Sequence, residues 1–387
     1  MEKEQLDRWI FFTVLGLMAF GMIMVYSASA VYAEKIKHNH FYYLERQMLW
    51  VFLGIVAMMV SYKFPYEKLR NWSPLFVWGS VALLVYVLIR HSGRWIPLGF
   101  VHIQVSDLAR LALIFFFAHS LSRREAEDLS ELKSFTYGFL PHAIYLVLLG
   151  GLIVAQPDFS SAAMLVLIGL SMLFLSPVPV RYFALSAAVL VPVGMTIVKF
   201  SSYKMDRWTA FLHPEQDMLG KGYQIIQSLI SLGSGGITGV GFARSTQKLF
   251  FLPEAHTDFI FSIIGEEWGL LGTLFILVMF LILLWRGIYL AHRASDRFTG
   301  YLAFGLTANL VFYGLINMMV AVKLAPPTGL PMPFVSYGGS SLIISSISAG
   351  LLLNISRRVN SPVRRRHTQF ATRARQNWQQ RKLQFMA

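Results

Sequence analysis

Apolar residues in this chain neither alternate nor recur on one helical face; they come in long blocks parted by polar stretches. The blocks are of the size that crosses a bilayer as a helix, roughly 17–25 residues. Ten spans are predicted, near residues 10–30, 47–61, 74–89, 105–121, 138–155, 162–175, 182–198, 259–285, 299–322 and 342–355. The pattern predicts an all-α polytopic membrane protein. A β-barrel would show alternating segments of about ten residues. The first block is longer than the apolar core of a cleavable signal, about 7–15 residues, and shows no clear cleavage motif.

Composition agrees. Hydrophobic residues make up 55% and charged residues 14%, against about 25% charged in a soluble domain. There is no cysteine, which excludes disulfides and thiolate metal sites. The net charge is +14, and from Ser356 onward the chain has nine Lys or Arg and no acid. That balance points to an anionic membrane surface and not to nucleic acid. An even number of spans puts both termini on one side. On that side fall Lys63, Lys68, Arg70, Arg123, Arg124, Lys133, Arg181, Arg286, Arg293, Arg297 and the tail. The short opposite loops carry mainly Lys35, Lys37, Arg46 and Arg94. The positive-inside rule therefore predicts cytoplasmic termini. Residues 1–355 form the membrane domain and 356–387 a basic cytoplasmic tail. Residues 199–257 become a large extracytoplasmic loop between helices 7 and 8, rich in Gly, Ser and charge.

Four polar clusters converge on the extracytoplasmic side. The first is Asp258 with Glu254 and His256; the second is Gln156 to Asp158. The third is Arg94 with Ser106, Asp107 and Arg110; the fourth is residues 328–341, holding Ser336, Tyr337, Ser340 and Ser341. Asp107 and Arg110 lie three apart and share a helix face. Ionisable groups in such segments point into a protein interior or wet cavity. Each cluster also has a plainer reading. Asp107 and Arg110 form a neutralised structural pair; Asp158 caps the next helix; 328–341 is a re-entrant turn whose hydroxyls satisfy its backbone. His256 reads as a hydrogen-bonding partner and not a metal ligand, having no second His at ligand spacing. Gly233, Gly235, Gly236, Gly239 and Gly241 are followed by no Gly-Lys-Ser/Thr, so they make no phosphate-binding P-loop and read as a flexible loop or an anion-holding one. Asp258 is either the cap of the following helix or a base at the membrane interface, where partial burial raises a carboxyl pKa. Arg207, Lys221, Arg244 and Lys248 stand near enough in sequence to hold phosphates. Enzyme and transporter both remain open on this ground.

Specific motifs narrow the choice. SGRWIPLGF followed by SDLAR, QPDF, GYQIIQSLISLGSGGITGVGF, QKLFFLPEAHTDFIFSIIGEE and TGLPMPFVSYGGSS resemble the SEDS family over about residues 7–358. The resemblance implies ten membrane helices and a peptidoglycan glycosyltransferase that polymerises lipid II on the outer face of the cytoplasmic membrane. It implies undecaprenyl-diphosphate glycan as donor and a class B penicillin-binding protein, an FtsI-like transpeptidase, as partner. Other division proteins and a septal location would follow for a division member; an elongation-type polymerase, a lipid II flippase and a non-catalytic scaffold are the rivals. The family's catalytic acid lands on Asp258. Arg94, Asp107, Arg110, Gln156, Asp158, Arg207, Lys248, Glu254, His256, Ser336 and Ser340 become candidates for binding substrate. Leaving-group charge calls for cations, with Arg94 and Arg110 first, or for a divalent ion such as Mg2+. Two departures stand out: the family's Pro-Ser-Glu-x-x-Lys is Val105 to Arg110 here, and QPDxGT has become QPDFSS. Arg for Lys changes reach and geometry. Glu266 and Glu267, two turns past Asp258, suggest a structural or coupling role.

Overall fold

The computed structural model describes residues 6–90, 93–98, 101–216 and 220–359, so most of the basic tail, 360–387, lies outside the described residues. The chain begins with α1 (Arg8–Lys37), α2 (Tyr42–Lys63) and α3 (Glu67–Ile89). Strands β1 (Trp95–Leu98) and β2 (Val101–Gln104) lead into α4 (Val105–Glu127) and a short α5 (Leu129–Lys133). A π-turn (Phe135–Phe139) opens α6 (Leu140–Ala155), followed by α7 (Phe159–Leu175) and α8 (Arg181–Lys199). Next come α9 (Ser202–Leu212), a 3-10 turn (Pro214–Gln216) and α10 (Lys221–Gly235). Three long helices finish the fold: α11 (Ile260–Arg293), α12 (Arg297–Ala321) and α13 (Gly339–Val359).

Among the described residues, eight helices are long and apolar enough to cross a membrane: α1 to α4, the 135–155 run, and α11 to α13. Two shorter apolar helices, Phe159–Leu175 and Arg181–Thr196, stand where the sixth and seventh spans were expected. Caps set where helices begin. Asp7 opens α1 by accepting from the amides of Trp9 (3.1 Å) and Ile10 (3.2 Å). Its carboxylate also takes Nε of Arg286 at 3.0 Å, and its amide donates to Ser356 Oγ at 3.2 Å. One terminal cap thus ties α1, α11 and α13 together. Most of α4, α12 and α13 is buried, whereas α2, α3 and α11 expose most of their surface, as helices facing lipid do.

Two features depart from the expected pattern. The α3–α4 connection contains an antiparallel hairpin, with Trp95 opposite Gln104 and Leu98 opposite Val101. A lone hairpin is marginal in water. This one is tied down by Val105 N to Arg94 O (3.4 Å) and by Gln104 N to Ser340 Oγ (3.3 Å). The second departure corrects the flexible-loop expectation for the glycines. Gly233 and Gly235 lie within α10, and the turn that follows docks onto a break in α11 at Gly269, where φ is 62° and ψ −155°. In an unbroken helix the amides of 270 and 271 would bond the carbonyls of 266 and 267. Here Leu270 N and Leu271 N donate instead to Gly236 O (2.9 Å) and Ile237 O (3.2 Å). Glu266 O and Glu267 O accept from Val240 N (2.9 Å) and Gly241 N (3.1 Å). A Cβ on Gly239 or Gly269 would strike the backbone of the other segment. These glycines permit close approach.

Candidate functional site

Asp258 ends the turn before α11. It does not cap that helix, whose N-cap is Phe259 with no side-chain cap bond. Its carboxyl lines a cavity of about 350 Å³ formed by the hairpin, the starts of α2, α4 and α7, and residues 329–341. Burial, reinforced by Glu254, pushes this carboxyl up to about 6, against the opposing pull of Arg207 and Arg94. A carboxyl so placed titrates near neutrality, as a general base requires.

The same cavity gathers a member of every polar cluster: Arg94, Asp107, Asp158, Asp258 and Ser340. Asp158 is the cap that its plainer reading expects, and its second oxygen is also engaged. One oxygen accepts from Ser161 N (3.2 Å) as the cap of α7; the other accepts from Gln104 Nε2 (2.6 Å). Arg94 Nη1 lies 3.6 Å from Asp158 Oδ1 and stays half exposed to the cavity mouth. Asp107 and Arg110 form a buried pair at 3.1 Å. Ser340 Oγ donates to Asp107 Oδ2 at 3.2 Å. Arg110 Nη1 donates to the Tyr313 hydroxyl, and its guanidinium carbon lies 4.0 Å from the Tyr313 ring centroid. Arg110 thus stands behind the cavity wall, holding Asp107 and Tyr313 in it. Ser161, which replaces the family's Thr, both takes the Asp158 cap and accepts from Gln104 Nε2 at 3.4 Å.

Other candidates fall outside the cavity. Lys248, expected to hold phosphate, is turned the opposite way: its Nζ lies 2.9 Å from Glu267 Oε1 and 3.1 Å from Ser27 Oγ, buried. The lysine neutralises a carboxylate that α11 carries inside the protein. Gln156 donates to Leu84 O at 2.9 Å, joining the end of α6 to α3. Arg207 on α9 donates to Pro327 O at 3.3 Å. Glu254 is exposed and accepts from Thr257 Oγ1 at 2.9 Å. The His256 ring packs among Tyr43 (4.6 Å between centroids), Tyr32 (5.8 Å) and Tyr337 (5.8 Å), and burial lowers its pKa. Ser336 Oγ donates to Thr257 O (2.6 Å) and accepts from Met332 N (2.8 Å). Glu266 accepts from Thr246 N (2.8 Å), Thr246 Oγ1 (2.9 Å) and Ser231 Oγ (3.1 Å). Together Glu266 and Glu267 bind the 236–248 segment to α11.

Sequence reasoning missed Arg46, Trp50, His102, Gln104 and Tyr313 in the cavity wall. Arg46 stacks 4.4 Å over Tyr42 and shares the cavity wall with Tyr337; along the chain it is one more charge in a short loop. Among the described residues, no three His, Asp or Glu side chains converge as metal ligands.

Below the polar cavity lies an apolar groove of about 860 Å³ between α2, α3, α4 and α13. It begins at Leu108, next to Asp107, and at Ile344, one turn from Ser340. The polar cavity and the apolar groove thus stand about one turn apart along α13.

Comparison with known proteins agrees with this arrangement. A family model described as "Cell cycle protein", spanning FtsW, RodA and SpoVE, matches residues 7–361. A "Probable peptidoglycan glycosyltransferase FtsW" of Trichlorobacter lovleyi is 40% identical, with 90% of this chain and 93% of the relative covered. The "Stage V sporulation protein E" of Bacillus subtilis is 38% identical over 92% of this chain and 98% of that protein. A solved structure titled "Structural coordination of polymerization and crosslinking by a peptidoglycan synthase complex" superposes with a TM-score of 0.74 at 26% identity, covering 92% of this chain and 99% of its own. The rod shape determining protein RodA of Thermus thermophilus shares the fold, with a TM-score of 0.66 at 24% identity over 92% of this chain and 98% of its own. With a family model matched along nearly its whole helical body, this polytopic membrane chain belongs to the FtsW–RodA–SpoVE family.

Proposed function

We propose that this chain is a peptidoglycan glycosyltransferase that polymerises lipid II, with Asp258 as general base. The observation that carries the reading is the half-buried Asp258 carboxyl in a cavity with Arg94 and Arg46, one helical turn along α13 from an apolar groove. The cavity suits a glycosyl diphosphate head and the groove a polyprenyl tail. Asp258 takes the proton from the 4-hydroxyl of the acceptor GlcNAc as that oxygen attacks C1 of the donor MurNAc. The new C–O bond forms with inversion, the bond from C1 to phosphate breaks, and the lipid diphosphate leaves with the electron pair. Arg94 and Arg46 supply positive charge where the diphosphate develops its own. Asp107, held by Arg110 and Ser340, and Asp158, held by Gln104, present acceptors to sugar hydroxyls.

In this reading α7 and α8 complete ten spans, both termini are cytoplasmic and the cavity faces outward. The names of the relatives favour the division branch, hence a septal site and a class B penicillin-binding protein as partner. A flippase would need polar groups along the whole crossing, whereas below Asp107 the groove is apolar. The test is polymerisation of lipid II by the purified chain with its transpeptidase partner. Asp258→Asn loses about 10²–10⁴-fold in rate, the worth of general-base help. A wild-type rate in that variant refutes the base. Lipid II translocation in liposomes without any glycan product refutes the enzyme.

A further inference from the structure

The turn that carries Asp258 has no helix to satisfy its backbone, and buried irregular backbone needs partners from the protein itself. Three successive carbonyls find them in one place. His256 O accepts from Tyr337 N (3.0 Å), Thr257 O from Ser336 Oγ (2.6 Å), and Asp258 O from Asn317 Nδ2 (2.9 Å). The second hydrogen of the Asn317 amide goes to Leu330 O, also at 2.9 Å. Asn317 lies one turn from the end of α12, at 1% exposure. The orientation of its amide is dictated by chemistry: turned over, Oδ1 would face two carbonyl oxygens, and neither can donate. Oδ1 is itself left without a partner. Buried side-chain acceptors are seldom left so; here both donors serve the two loops at that cost.

We infer that Asn317 is a positioning residue for the reaction, clipping the main chain of Asp258 to a buried helix so that the carboxyl is held at the cavity. This rests on the reading of Asp258 as the base. The peptide plane that Asn317 holds is the one that follows the Asp258 Cα. If it is released, the plane turns and the carboxyl drifts, although Asn317 touches no substrate. Ser336 holds the preceding plane in the same way and reaches back to Met332 N, closing the clip within the 330–337 loop.

The test uses the full chain with its transpeptidase partner, lipid II as substrate and a pH series. Asn317→Leu keeps the shape and removes both donors. Expected are a kcat lower by about tenfold or more, the cost of misplacing a reacting group, an unchanged KM for lipid II, and an acid limb moved to lower pH as the loosened carboxyl gains water. Ser336→Ala leaves α12 intact and shows the same signs more weakly; it carries the test if Asn317→Leu does not fold. An unmoved acid limb, or a loss of activity that only follows the loss of folded protein, overturns the inference. Asp258→Asn separates the two ideas. If it is inactive while both clip variants behave as wild type, only the clip fails; if it is active, the base reading fails.

Discussion

Replacing Lys248 with Met leaves Glu267 as a buried carboxylate without its cation. Both side chains are nearly closed to water, 6% and 0% exposed, with 2.9 Å between Nζ and Oε1. Breaking a buried pair from one side costs ~3–5 kcal/mol, because the orphaned charge stays desolvated. Here Ser27 Oγ keeps its contacts with both carboxylate oxygens, at 2.6 and 2.7 Å, and Ser245 N keeps its own at 3.4 Å. The low end applies, about 3 kcal/mol. Against an unfolding entropy of ~2.1 cal/mol/K per residue over this chain, that is a midpoint lower by about 4 °C. The assay is thermal unfolding in detergent followed by tryptophan fluorescence. Adding Glu267→Gln to Lys248→Met recovers most of the loss, since a neutral amide needs no counter-charge. A wild-type midpoint for Lys248→Met, or a double variant less stable than the single, refutes the reasoning. The same experiment separates this role from phosphate binding, which would raise KM and leave the midpoint alone.

Two further outcomes follow. With its carboxyl at about 6, Asp258 works ionised, so kcat/KM falls about tenfold per pH unit below that value and is level above it. The sign for stability is opposite. A raised carboxyl favours the protonated form in the fold, so its stabilising share is present at acid pH and lost as pH rises through about 6. Asp258→Asn should therefore melt above wild type at pH 8, and equal midpoints there contradict the burial. In the groove, a Cβ on Gly79 meets nothing within 4 Å. Gly79→Phe projects a ring into that space and raises KM for long-chain lipid II roughly tenfold, the equivalent of about two buried CH₂ groups. A short-prenyl analogue is unaffected; an equal rise with both substrates argues against the groove as the tail site.

What could be read from the sequence follows from range. Blocks of apolar residues report on the bilayer around them, and every expected span falls on a helix. Asp258 was legible because an acid beside an apolar run is costly and its motif is specific. Asp158 was legible as a cap, because Asp after a Pro break before an apolar run is a cap signal. Lys248 was misplaced because nothing in the chain announces that Glu267, nineteen residues on, turns inward to meet it. The glycines of 233–241 misled for a related reason: small size serves flexibility in water and close approach against another backbone, and only the partner, α11, tells which. Arg46 and Asn317 carry no local mark. Their meaning lies in contacts 291 and 59 residues away, with Tyr337 and Asp258.

The break at Gly269 has a mechanical consequence. As one rod, α11 would be about 51 Å long at 1.5 Å per residue and would carry any tilt of its membrane end to its tip. It is severed nine residues past Ile260, and the severed end is laced sideways into the 236–248 segment through two pairs of backbone bonds and two carboxylates. Two of those bonds, from Leu270 and Leu271, come from the membrane side of the break, so the segment splints the joint from both sides, and a tilt of the long part of α11 is handed to the 236–248 segment as well as to the 260–268 stub.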